Sequence, residues 1–163
     1  MNTPIITFGL GLLILGSAVM AGLFFVFSNF AMNSFARIRP EAGISAMQAI
    51  NVTIVNPWFL ALFLGTAFGS VAIAAPALFQ MSHPASVWIL AGALFYCIGC
   101  IVVTGACNVP LNNLLAAVDP ASADGLEMWN RYLREWLPWN HVRTVATTLA
   151  GAAYLVALWK LKE

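Results

Sequence analysis

Residues 5–32 read IITFGLGLLILGSAVMAGLFFVFSNFAM and contain no charged side chain. At about 1.5 Å per residue, a helix of this length exceeds the ~30 Å hydrocarbon core of a bilayer. A cleaved secretory signal would have a basic segment before an apolar core of only about 7–15 residues, and this run shows neither property. The stretch therefore predicts a permanent transmembrane helix.

Three further apolar runs are long enough to span a membrane, at residues 58–79, 86–109 and 142–161. The composition is also typical of a membrane protein, because 61% of the residues are hydrophobic and only 8% are charged, whereas about 25% are charged in soluble domains. We predict an all-α, multi-pass integral membrane protein with residues 1–163 in a single domain. One short and two moderate connections favour antiparallel neighbours, hence an up-down-up-down four-helix transmembrane bundle.

Polar side chains gather at one face of the predicted bundle. Antiparallel spans bring the ends of helices one and three to the same face as the starts of helices two and four. The polar residues at those four positions are Ser28, Asn29, Asn33 and Arg37, then Asn51 and Asn56, then Asn108, Asn112 and Asn113, and finally Asn140, His141 and Arg143. We therefore expect one chemically active face.

Both connections on this face have an amphipathic helical pattern. Residues 41–55 carry apolar side chains at helical spacing, and so do residues 120–136. The sequence predicts two lid segments, in the first and third connections, that lie over the ends of the four helices. Such lids would roof a cavity suited to a small molecule.

The segment WLPWNHVR (136–143) places an imidazole and a guanidinium where the last apolar run begins. Ionisable side chains at a membrane-spanning helix are costly unless they are paired or face a wet cavity, so His141 and Arg143 are functional candidates. The competing interpretation is interfacial anchoring, which explains Trp139 and Arg143 by position alone.

Four motifs together resemble the anthrone oxygenase family of small four-helix membrane proteins, formerly a family of unknown function. They are FFVFSN (24–29), MQAIN (47–51), NVPLN (108–112) and WLPWNHVR (136–143). The resemblance implies a membrane oxygenase that uses molecular oxygen to convert an anthrone to an anthraquinone. It also implies that the reaction needs neither a metal nor a flavin, so no cofactor is expected.

This chemistry requires a base, groups that stabilise an oxyanion and an aromatic pocket for an apolar phenolic or anthrone-like substrate. We assign His141 as the base and Arg143 as the oxyanion partner. The expected substrate-binding residues are Ser28, Asn29, Gln48, Asn51, Asn108, Asn112, Arg131, Trp136, Trp139 and Asn140. The partners are then the lipid bilayer, an apolar aromatic small molecule and oxygen.

Two alternatives stay open. A metal-dependent membrane oxidoreductase could gather His141 with carboxylates of the second lid, although no two histidines have ligand spacing and His83 belongs to the opposite face. A non-enzymatic small-molecule-binding membrane protein could use the same cavity without turnover.

The charges limit partners and orientation. A net charge of +1 argues against a nucleic-acid-binding surface, which needs a concentrated basic patch. The site-bearing face is predicted to be cytoplasmic by the positive-inside rule. The arginines that support this orientation are Arg37, Arg39, Arg131 and Arg134. Homo-oligomerisation is left open.

Overall fold

The computed structural model describes residues 3–162, and these form helices joined by short turns, with no strand among them. Met1, Asn2 and Glu163 lie outside the described residues. The α-helices are α1 (Thr3–Val26), α2 (Met32–Phe35), α3 (Pro40–Thr53), α4 (Pro57–Leu78), α5 (Pro84–Tyr96), α6 (Val109–Ala116) and α7 (Ala123–Lys160). Three π-helical turns, Phe27–Ala31, Cys97–Val102 and Thr104–Asn108, continue α1 into α2 and α5 into α6.

Four helical stretches are long and apolar enough to cross a membrane, which confirms the predicted integral membrane protein. They are the first span (Pro4–Phe35), the second (Pro57–Leu78), the third (Pro84–Ala116) and the fourth (Ala123–Lys160). Large apolar side chains such as Phe8, Phe68 and Trp159 are exposed on the outside, as a lipid-facing surface requires.

The spans form an antiparallel ring in which α1 and α5 each pack against both α4 and α7. Small residues allow the helices to approach closely. Gly92 of α5 faces the ring of Tyr154, and Gly99 of the π-helical turn that follows faces Ala146, so the third and fourth spans run in opposite directions. The up-down-up-down bundle is therefore the observed architecture.

The helix starts follow from local chemistry. Proline occupies the first helical position of α3, α4 and α5, where its missing N–H costs nothing. The Asn56 side chain accepts a hydrogen bond from the Phe59 amide at 3.1 Å, and the Ser122 hydroxyl accepts one from the Gly125 amide at 3.0 Å. These caps fix where α4 and α7 begin.

The first connection contains the predicted lid as a separate helix, α3, which buries Gly43, Ile44 and Met47. The second predicted lid is different, because it is continuous with the fourth span rather than a separate segment. We expected that span to begin near residue 142, whereas α7 begins at Ala123 and passes through Pro138. One buried stripe explains the continuity, since it keeps helical spacing from the lid into the membrane-spanning part. The stripe comprises Trp129, Tyr132, Trp136, Asn140, Arg143, Thr147, Ala150, Tyr154 and Ala157.

Candidate functional site

A cavity of about 140 Å³ lies beneath α3, where the first, third and fourth spans meet the beginning of α4. For comparison, an apolar cavity of roughly 150 Å³ is large enough to hold benzene. The walls of the cavity beneath α3 are mostly apolar, with a few polar side chains that converge from three helices. The lining residues are Leu23, Phe24, Phe27, Met47, Ile50, Asn51, Ile54, Val55, Phe59, Thr104, Val109, Asn112, Trp136, Asn140 and Arg143.

Arg143 supplies the cavity's positive charge, and its side chain is only 6% exposed. The guanidinium carbon lies 4.3 Å from the ring centroid of Phe24 and 5.1 Å from that of Trp136. Nη2 donates to Asn140 Oδ1 at 2.7 Å, and Nη1 donates to Thr104 Oγ1 at 3.3 Å. Nε is buried and donates to no acceptor within the described chain. No described carboxylate lies within ion-pair distance of this guanidinium.

Asn140 orients the arginine from the same helix. Its amide nitrogen donates to the Phe24 carbonyl and to the Ser28 hydroxyl, both at 2.8 Å. The Ser28 hydroxyl is also hydrogen bonded to Thr144 Oγ1 at 2.9 Å. Because the amide nitrogen is held by the first span, its oxygen is fixed in position to accept from Arg143.

An aromatic wall continues from the cavity into the N-terminal part of α7. The rings of Tyr132 and Trp136 stack with centroids 5.6 Å apart. Asn112 Oδ1 accepts from the Tyr132 hydroxyl at 2.8 Å and from Trp136 Nε1 at 2.9 Å. The Asn51 amide nitrogen is buried without a hydrogen-bond partner in the described chain. The wall is thus held by polar contacts at its edges, while its faces stay apolar.

The structure brings five of the predicted site residues to the cavity surface, and two more lie directly behind it. The five are Asn51, Asn112, Trp136, Asn140 and Arg143. Of the two behind, Ser28 holds Asn140, and Asn108 donates to the Trp136 carbonyl at 3.2 Å. Asn108 Oδ1 is buried with no hydrogen-bond partner in the described chain.

His141 does not share this cavity. Its side chain is exposed and lines an apolar groove on the outside of the bundle, together with Leu94, Ile98 and Val145. The expected meeting of His141 with Arg143 was wrong because residues two positions apart on an α-helix point about 200° away from each other. The assignment of His141 as a base therefore stays a prediction without geometric support.

Four other predicted binding residues also lie away from the cavity. Arg131 is exposed and pairs with Glu135 at 3.0 Å. Trp139 is 42% exposed, and Asn29 is exposed on the first span. Gln48 donates to the carbonyls of Leu115 and Val118 at 2.9 and 3.0 Å, so its amide ties α3 to the end of the third span.

Sequence reasoning did not assign Thr104 to the site. Its hydroxyl accepts from Arg143, and it lies one helical turn before Asn108, within a π-helical turn. The spacing of Thr104, Asn108 and Asn112 offered a signal, because polar residues four apart in an apolar run share one helix face. π-Helical turns also occur frequently at functional sites.

The described residues contain no group of three or more histidine, cysteine, aspartate or glutamate side chains positioned to hold a metal ion. A group of His141 with two or more carboxylates of the second lid, as the metal-dependent alternative would require, is therefore not formed among these residues. The donors that do converge are amides, a hydroxyl and a guanidinium, and these groups suit an anionic or carbonyl-bearing organic ligand.

Comparison with known families identifies one match. The profile described as Anthrone oxygenase matches residues 56–153, more than half of the chain. The matched region runs from the cap of α4 into the membrane-spanning part of α7, and it includes Thr104, Asn112, Asn140 and Arg143. Searches of curated proteins and of solved structures returned no match.

Proposed function

The chain belongs to the anthrone oxygenase family, and we propose that it is a membrane-embedded oxygenase that oxidises an apolar phenolic or anthrone-like substrate with molecular oxygen. The observation that carries the proposal is Arg143. A guanidinium at a membrane-spanning helix costs about 2.5–3.5 kcal/mol on insertion scales. Here it faces an aromatic cavity with no carboxylate partner in the described chain. A ligand that becomes negatively charged would provide the missing partner.

The overall reaction balances without an external reductant. An anthrone loses two hydrogens at its central CH₂ and gains one oxygen atom, while the second oxygen atom leaves as water. Oxygen accepts all four electrons, so no external reductant is required. Loss of one proton gives an electron-rich enolate that can react with oxygen directly. We therefore propose that the protein's contribution is to bind the enolate, stabilise its charge and exclude water.

Each part of the cavity fits one part of this task. The guanidinium of Arg143 lies where it can stabilise the enolate oxygen, while Phe24 and Trp136 offer ring faces. Asn51 and Asn112 can bind hydroxyl or carbonyl oxygens of the substrate. Since the volume suits about one aromatic ring, further rings would project past Val55, which is 62% exposed.

We also propose that the site-bearing face is cytoplasmic. Four arginines lie on the connections at this face, while Lys160 and Lys162 lie near the opposite face. A membrane-impermeant amine label applied to intact cells would test this orientation, because the exposed Lys162 should then be labelled from outside. No part of the catalytic proposal depends on its result.

The test of function is oxygen uptake by purified, chelator-treated protein supplied with an anthrone. Arg143→Lys keeps the charge but loses the planar fork of donors, so we expect a fall in kcat of about 10²–10³-fold, the usual effect of losing an oxyanion donor. Arg134→Lys is the matched control, because this arginine is exposed on the same helix. Activity restored only by added metal would favour the metal-dependent alternative. Anthrone binding without oxygen uptake would favour a binding protein.

A further inference from the structure

We infer that this cavity takes up its aromatic ligand as a preformed anion, so that the proton is lost outside the cavity and not to a protein base within it. The inference rests on the proposed function for the general class of ligand. Its evidence is the polar part of the cavity lining, in which neutral amides and a hydroxyl surround one positive charge and no group is a base strong enough to take a proton from a phenol. The site would therefore select the ionised form of its ligand over the neutral form.

The lining residues explain why the cavity cannot deprotonate its ligand. None of the described residues that line it is a histidine, aspartate, glutamate or lysine. Its polar members are three asparagines, one threonine and Arg143. Amides and hydroxyls are very weak bases, and a guanidinium does not lose its proton in proteins. The nearby Tyr132 hydroxyl donates a hydrogen bond to Asn112 Oδ1 and is a neutral phenol, so it is not a base either.

The same residues explain why an anion would be retained. Two of the guanidinium nitrogens have neutral acceptors, Asn140 Oδ1 and Thr104 Oγ1, which do not compensate a full positive charge. The third, Nε, is buried without an acceptor in the described chain. Buried charges in proteins are normally paired, so the site is electrostatically complete only with a negative ligand.

The proton balance is simple. The O–H bond of a phenol, or of the enol form of an anthrone, breaks while the molecule is in contact with water. The electron pair stays on the ligand oxygen and the proton goes to water. The cavity lies at the end of the bundle where the polar residues gather, and its rim includes Val55 and Val109, both exposed. An anion formed near the membrane surface can therefore reach Arg143 without crossing the bilayer.

Binding of nitrophenol probes to detergent-solubilised protein tests this inference without any turnover. The phenol and phenolate forms of 4-nitrophenol have different absorption bands, and 4-nitroanisole has the same ring but cannot ionise. At a pH below the pKa of free 4-nitrophenol, we expect the bound probe to show the phenolate band. We expect 4-nitroanisole to bind about 10- to 100-fold more weakly, the equivalent of one hydrogen bond to a charged group.

Arg143→Gln should remove both the phenolate band and the preference for 4-nitrophenol, whereas Arg134→Gln should leave them unchanged. If Arg143→Gln does not fold, the comparison of the two probes in the wild-type protein still decides. A bound probe in its neutral form, or equal affinity for both probes, would overturn the inference even if the protein oxidises anthrones. Phenolate binding that depends on Arg143 would support it even if oxygen uptake is absent.

Discussion

Replacing Asn140 with aspartate would give Arg143 a counter-ion inside the protein. The Asn140 amide oxygen already accepts from Arg143 Nη2 at 2.7 Å, so a carboxylate oxygen at this position would form a charge-assisted pair without any movement of the helix. If the arginine is unpaired because a ligand supplies its anion, the new carboxylate will compete with that ligand. If the arginine is only structural, the same change should be harmless.

The expected sizes of the two effects differ. A hydrogen bond to a charged partner contributes about 1.5–3 kcal/mol, so satisfying the guanidinium internally should weaken anion binding about 10- to 100-fold. Folding stability should change less. Aspartate loses the amide donor to the Phe24 carbonyl, which costs about 1–3 kcal/mol, but the new ion pair offsets a similar amount. The Ser28 hydroxyl, which accepts from the same amide, can instead donate to the carboxylate.

Two measurements on one preparation separate these effects: the Kd for 4-nitrophenolate and the thermal unfolding midpoint in detergent. Asn130→Asp is the matched control, because Asn130 is exposed on the same helix. We expect Asn140→Asp to unfold near the wild-type temperature with at least tenfold weaker probe binding. A folded Asn140→Asp protein with wild-type affinity would refute the view that Arg143 is held for an anionic ligand.

Two further substitutions test the geometry. His141→Ala should change oxygen uptake by no more than about twofold, because the side chain is exposed outside the cavity. Surface substitutions usually change free energies by less than about 0.5 kcal/mol. A loss of about 10²–10⁴-fold in oxygen uptake would instead restore the assignment of His141 as the base. Gly92→Ala should destabilise the bundle by about 1–3 kcal/mol, since the added methyl would lie 2.5 Å from the Tyr154 ring, whereas Gly65→Ala meets nothing within 4 Å. Equal unfolding temperatures for the two glycine variants would contradict the close packing of α5 against α7.

The fold could be predicted from the sequence because a membrane imposes one strong rule. Every backbone polar group in the hydrocarbon must be bonded within the chain, so a long apolar run becomes a helix. The ends of the spans were harder to place. The apolar run put the start of the fourth span near residue 142, yet the helix begins at Ala123 because its buried stripe keeps one spacing on both sides of Pro138. Apolarity identifies the hydrocarbon-facing part of a helix, and periodicity identifies its full length.

The site was predicted in part for a similar reason. Knowing that helix ends converge located Asn112, Asn140 and Arg143 at one face of the bundle, which the structure shows to be one cavity. That rule says nothing about which side of a helix each residue occupies. Applying helical rotation to residues 140–143 would have kept Asn140 with Arg143, three positions apart, and separated His141. The Gln48 contacts were beyond this reasoning, because they depend on how α3 docks on the third span.

The position of α3 has a consequence for the energetics of access. This helix supplies Met47, Ile50 and Asn51 to the cavity, yet it is not part of any membrane-spanning helix. Its side-chain hydrogen bonds to the third span are the two made by Gln48. Displacing it would break those bonds and expose the buried Ile44 and Met47, but the four-helix ring would stay intact. Exposing the guanidinium therefore requires only a fraction of the free energy of global unfolding. Amide hydrogens of α3 should accordingly exchange faster than those of α7. The four-helix bundle can then stay folded while its binding site opens to ligand.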